Sequence, residues 1–106
     1  MATVRLELGE DNNGSFVLYE GEEIIGEMQV GFTGYKELTV YHTEVKPEYE
    51  GKGYSKQLLS FMVNYVCSRE MKVVALCSYV QAQFKRHEDL YGDILINNTK
   101  EFNTSL

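Results

Sequence analysis

A single proline divides this chain into two halves with different hydrophobic periods. Before Pro47, apolar residues recur at every second position, as in half-buried strands. After it they recur three and four residues apart, as along a helix. In the first half, Val4, Leu6 and Leu8 alternate with Thr3, Arg5 and Glu7. Asp11-Asn12-Asn13-Gly14 then supplies turn residues. Ser15 to Tyr19 reads as a second strand, and Glu20-Gly21-Glu22 as a second turn. The third strand runs from Glu23 to Phe32, with Ile24, Met28, Val30 and Phe32 on one side and Gly26 marking a bulge. Thr33-Gly34-Tyr35-Lys36 leads into a fourth strand, Glu37 to Val45. Turns this short make the four strands an antiparallel meander.

Beyond the proline, Leu58, Leu59, Met62, Val63 and Val66 fall on one face of a helix. It is expected to start near Lys52 or Gly53 and to end near Arg69. Lys72 to Leu76 reads as a short strand. Ser78 to Arg86 reads as a second helix, with Val80 and Phe84 one turn apart. A helix between the fourth and fifth strands permits a parallel crossover. The predicted fold is α+β, a mixed and mainly antiparallel sheet with two main helices, in the order meander, helix, strand, helix. One domain is expected over residues 1–96, followed by a polar tail from Asn97 to Leu106.

A length of 106 residues suits a single domain of modest core. The sequence opens directly into a strand-like pattern, with no apolar leader and no apolar run of about 20 residues to span a bilayer. A cytoplasmic protein without membrane association is therefore expected. Cys67 and Cys77 are too few for a disulfide scaffold, and His42 and His87 stand too far from them for zinc-ligand spacing, so no metal is expected.

Charge is unevenly spread. Residues 1–50 carry three Lys/Arg and eleven Asp/Glu, a balance of −8, whereas residues 51–106 carry seven and five, a balance of +2. Nucleic acid is not an expected partner, because phosphate backbones are held by clustered cations. The basic half suits an anionic ligand. The acidic half suits a cationic acceptor such as an amine, or simply keeps the protein soluble.

The segment Glu50-Gly51-Lys52-Gly53-Tyr54-Ser55 joins the fourth strand to the long helix. Two glycines allow a tight turn and close approach of a ligand to the backbone. The helix start that follows offers unpaired N–H groups and partial positive charge. Lys52 and Lys56 add mobile charge. By itself the loop fits either a pyrophosphate site or an ordinary tight turn. It is not a P-loop, since Lys52 is followed by Gly53. Nor is it a Rossmann fingerprint, since Lys56 stands where the third glycine belongs.

In its setting, the loop resembles the acetyl-CoA loop of the GNAT superfamily of N-acetyltransferases, whose pattern is Arg/Gln-x-x-Gly-x-Gly/Ala. Gly53 matches, Glu50 replaces the Arg/Gln, and Ser55 replaces the small residue. His42-Thr43-Glu44-Val45 before the loop and Cys77-Ser78-Tyr79-Val80 after the fifth strand resemble motifs of minimal GNAT-like proteins of about a hundred residues, and Phe84-Lys85-Arg86-His87-Glu88 resembles that group's helix end. The resemblance implies acetyl-CoA or CoA binding in a cleft where the fourth and fifth strands separate. Backbone groups of Thr43, Glu44 and Val45 would pair with the pantetheine arm. Gly51, Lys52, Gly53, Tyr54 and Ser55 would hold the pyrophosphate, with Glu50 expected to point away. Cys77, Tyr79 and Phe84 would lie near the thioester end or line the opposite wall.

The implied reaction is acetyl transfer to an amine, from a small molecule or a protein lysine. The alternative is a non-catalytic acyl-CoA-binding or regulatory module. Two side chains are candidates for catalysis. Cys77 lies at a strand-to-helix junction, where a helix start lowers a thiol pKa, and is an acyl acceptor, a lining residue or plain packing. His42 shares its alternation with Leu38, Val40 and Glu44, and is a base or a hydrogen-bonded structural residue. A monomer or weak dimer is expected.

Overall fold

The computed structural model describes residues 2–95, so the tail expected from Asn97 to Leu106 lies outside the described residues. Five strands form one sheet in sequence order: β1 (Ala2–Leu8), β2 (Asn13–Glu20), β3 (Glu23–Gly34), β4 (Glu37–Val45) and β5 (Lys72–Ala75). The first four are an antiparallel meander, and β5 lies parallel to β4. Helix α1 (Tyr54–Ser68) makes the crossover between them, α2 (Ser78–Arg86) follows β5, and a short α3 (Glu88–Tyr91) follows α2. This is the α+β architecture that the two periods predict, with α3 added. His87 joins the last two helices, and its ring stands edge-on to Tyr91.

The core lies between α1 and one face of the sheet. Leu58, Leu59, Met62 and Val66 bury the apolar stripe of the helix. Opposite them stand Phe16, Leu18, Met28, Val30, Leu38 and Val40, all essentially inaccessible. Phe16 meets the rings of Phe61 and Tyr65 edge to face at 5.6 and 5.5 Å, which fixes α1 over β2. Burial of such side chains is worth about 1.5–3 kcal/mol each.

Of the three register shifts among the antiparallel strands, two change which side chains face the core. Leu18 faces Gly26 but Tyr19 faces Ile24, so Ile25 is an extra residue in β3. Ile25 is fully buried while Ile24 is 47% exposed, opposite to the side expected for Ile24. The bulge expected at Gly26 thus falls one residue earlier. In β4, Gln29 faces His42 while Val30 faces Val40, leaving Tyr41 as the extra residue. A bulge inverts the alternation beyond it. Leu38 and Val40 point into the core, but after Tyr41 the inward residues are Thr43 and Val45, and His42 and Glu44 are exposed. The shared face expected for His42, Leu38 and Val40 does not form.

Candidate functional site

The β4 bulge also marks where the sheet opens. The ladder to β5 ends at Val40 opposite Ala75, and the N–H groups of Leu76 and Cys77 both donate to the Val40 carbonyl at 3.0 Å. The ladder to β3 continues to Val45 opposite Gly26. Residues Tyr41 to Val45 therefore run on with no ladder partner in β5.

From Val45 the chain passes through a 3-10 turn, Pro47–Tyr49, into the glycine loop. Glu23 anchors this turn to β3: it accepts from the Tyr49 hydroxyl at 3.1 Å and pairs with Lys46 at 3.2 Å. The rings of Tyr49 and Tyr54 meet edge to face at 6.0 Å, bracketing the loop. Gly51 and Gly53 have φ of +79° and +84°. A side chain there is strained by the backbone itself, since no atom stands within 4 Å of either Cβ position.

Gly53 is also the N-cap of α1, and no side chain caps the helix start. The first intrahelical bond runs from the Gln57 N–H to the Gly53 carbonyl at 3.0 Å. The amides of Tyr54, Ser55 and Lys56 thus have no intrahelical acceptor and carry the positive end of the helix dipole. These three residues line a hollow of about 240 Å³ whose walls also include Val45, Gly51, Gly53 and Tyr79. Glu50 is among the residues that line it. Lys52 is exposed at the crest of the loop.

Across the opening, Cys77 is the N-cap of α2 and only 5% exposed. Its thiol donates to Thr43 Oγ1 at 3.3 Å, joining the ends of β4 and β5. Tyr79 is half-buried in the first turn of α2. Burial pushes its pKa up, with smaller contributions from Tyr91 and Cys77, so its hydroxyl keeps its proton. Phe84 lies deeper, fully buried with its ring 4.9 Å from that of Tyr91.

The structure thus gathers Thr43, Val45, the glycine loop, Cys77 and Tyr79 around one opening. His42 and Glu44 lie on the opposite sheet face, where His42 Nε2 is 2.9 Å from Glu44 Oε1. Sequence reasoning missed the Glu23 anchor and the Thr43–Cys77 contact. Both join residues at least 23 positions apart, and no local pattern encodes them.

A family model described as GCN5-related N-acetyl-transferase matches residues 15–94. Among curated proteins none matches the chain. Among solved structures, the chain resembles a GCN5-like putative N-acetyltransferase from Staphylococcus aureus, with 26% identity, a TM-score of 0.62 and 87% of each chain covered. It shares the fold of an IAA acetyltransferase from Bacillus cereus, with 17% identity, a TM-score of 0.59, and 69% of this chain and 63% of the other covered. It also shares the fold of a PaiA N-acetyltransferase from Thermoplasma acidophilum in complex with coenzyme A, with 17% identity and a TM-score of 0.51. That match covers 57% of this chain and 37% of the other. The chain therefore spans less than two thirds of the Bacillus and Thermoplasma proteins.

Proposed function

The chain belongs to the GCN5-related N-acetyltransferase family, and on that premise we propose that it binds acetyl-CoA at the opening between β4 and β5 and transfers the acetyl group to an amine. The observation that carries this reading is the uncapped α1 start behind two left-handed glycines, at the point where β5 leaves β4. Acetyl-CoA would supply an acyl group activated as a thioester. The amides of Tyr54, Ser55 and Lys56 suit its pyrophosphate, with Lys52 and Lys56 adding charge. The backbone of Thr43, Glu44 and Val45 suits the pantetheine arm as an added strand.

At the reacting end, Tyr79 is a protonated donor suited to a departing thiolate. Cys77 is held by Thr43 within the same opening. It serves either as a lining group or as a transient acyl acceptor, and intact mass after incubation with acetyl-CoA separates the two. His42 is the remaining candidate base and would have to act from the far face of β4.

The test is thiol release from acetyl-CoA with a panel of polyamines, amino acids and lysine peptides. Calorimetry with acetyl-CoA and CoA is run alongside it. Binding without release on any amine would favour the second reading, a non-catalytic acyl-CoA-binding module. Glu50 in the wall of the hollow, and His42 and Glu44 on the far sheet face, favour that reading. Absence of binding would remove both.

A further inference from the structure

The two edges of the sheet differ. Along β5 the edge is covered: the Val73 N–H donates to the Ile94 carbonyl at 2.6 Å, and Val73 pairs with Leu95. Along β1 no strand is paired beyond it among the described residues. Hydrogen-bond parity tells what this edge offers. The Gly9 N–H donates to the Asn13 carbonyl at 2.8 Å, and the register carries that alternation to Glu7 opposite Ser15, Arg5 opposite Val17 and Thr3 opposite Tyr19. Those residues commit their backbone groups to β2, so Val4, Leu6 and Leu8 turn theirs outward. The Ala2 carbonyl points the same way and accepts from Gln57 Nε2 at 3.0 Å. Nothing blunts the rest of the strand, which has no bulge, no proline and no lysine. The side chains of Val4 and Leu6 lie on the core side, and Leu8, of the same parity, is 71% exposed. Thr3, Arg5 and Glu7 stand on the open face of the sheet, away from α1.

We infer that β1 pairs antiparallel with β1 of a second copy, in the register that sets Leu6 against Leu6. Two observations choose this register. Full overlap of Ala2–Leu8 is centred on Arg5, so it would set Arg5 against Arg5 and would need the Ala2 carbonyl that Gln57 already occupies. Like charges directly opposite each other are destabilising. Sliding the strands until Leu6 meets Leu6 removes both conflicts. Arg5 of each copy then faces Glu7 of the other, and the exposed Leu8 of each lies against Val4 of the other. Ala2 falls outside the overlap and keeps its bond to Gln57. Both charged side chains are already held by Tyr19: the Arg5 guanidinium lies over its ring, 5.0 Å from the centre, and Glu7 Oε2 accepts from its hydroxyl. Little side-chain freedom is left to lose on pairing. A two-fold pair uses the same edge on both copies, and with β5 covered the assembly closes as a dimer with one continuous sheet. The dimer is weak, because a single strand pair buries little surface. The openings between β4 and β5 lie at its two outer ends, so self-association stands apart from acetyl-CoA binding.

The test is sedimentation equilibrium of the full chain up to millimolar concentration. It is run on the wild type, on Arg5→Glu, on Glu7→Arg, and on an equal mixture of the two variants. Arg5→Glu alone sets carboxylates face to face, and Glu7→Arg alone sets guanidiniums face to face. In a mixed dimer every facing pair again has opposite charges. The expected result is a monomer–dimer equilibrium for the wild type, a dissociation constant raised about tenfold in each variant, and recovery in the mixture. Recovery also shows that both variants fold. Amide hydrogen exchange on the wild type reads the register independently of any variant. Val4, Leu6 and Leu8 should be protected at high concentration and exchange at low, while Arg5 and Glu7 stay protected at both. A wild type that remains monomeric at millimolar concentration overturns the inference. So do species larger than a dimer, variants that pair as tightly as the wild type, a mixture that fails to recover, or protection at Val4, Leu6 and Leu8 that ignores concentration.

Discussion

Gly53 is the residue on which the site turns, because it is both a left-handed turn and the N-cap of α1. Gly53→Ala should cost about 1–2 kcal/mol in denaturant unfolding from backbone strain alone. It should also weaken acetyl-CoA binding, because relaxing the strain moves the amides of Tyr54 and Ser55. If stability falls and acetyl-CoA affinity does not, those amides are not the pyrophosphate site. Tyr79 makes a second prediction. Its raised pKa means that folding favours the protonated phenol. That contribution is present below the unfolded value of about 10 and is lost as pH rises through the folded value. Tyr79→Phe should therefore lose less stability than the wild type as pH rises above about 10. The loop glycines and Cys77 were legible in the sequence because glycine and a strand-end cysteine announce themselves locally. The side on which His42 points was not, because it depends on an extra residue at Tyr41 that no turn residue marks.

Among the elements, the meander and both longer helices follow from hydrophobic period and turn chemistry, and their expected bounds agree with the structure to within two residues at the ends of α1. The bulges were the failure. Alternation counts side chains correctly only while register holds, and both β3 and β4 insert a residue where the partner strand does not. Two sheet glycines separate tight packing from tolerance. A Cβ on Gly14 would stand 2.9 Å from the backbone carbonyl of Glu7, so Gly14→Ala must displace β1 and should cost about 1–3 kcal/mol. A Cβ on Gly31 meets the tip of the Tyr41 ring at 2.7 Å. That ring is 42% exposed and can swing away, so Gly31→Ala should cost less. Urea unfolding of the two variants checks the order. Phe16→Ala, which removes the ring under α1, should cost about 3–5 kcal/mol.

At the scale of the whole molecule, charge and architecture divide the labour. The glycine loop and the uncapped helix start lie where the strongly acidic half of the sequence gives way to the mildly basic one, and Glu7, Glu27 and Glu44 lie on the far face of the sheet. Composition alone revealed that asymmetry, but only cross-strand register placed Glu7, Glu27 and Glu44 on one face. No helix among the described residues is long and apolar enough to cross a membrane. The central claim is that acetyl-CoA occupies the opening between β4 and β5. It is tested most directly by titrating isotopically labelled protein with acetyl-CoA and following every backbone amide by NMR. The account predicts shifts concentrated at Gly51 to Lys56, Thr43 to Val45 and Cys77 to Tyr79, with β1 and β2 undisturbed. Shifts confined to the open face around Glu7, Ser15 and Glu27, or none at millimolar acetyl-CoA, would contradict it.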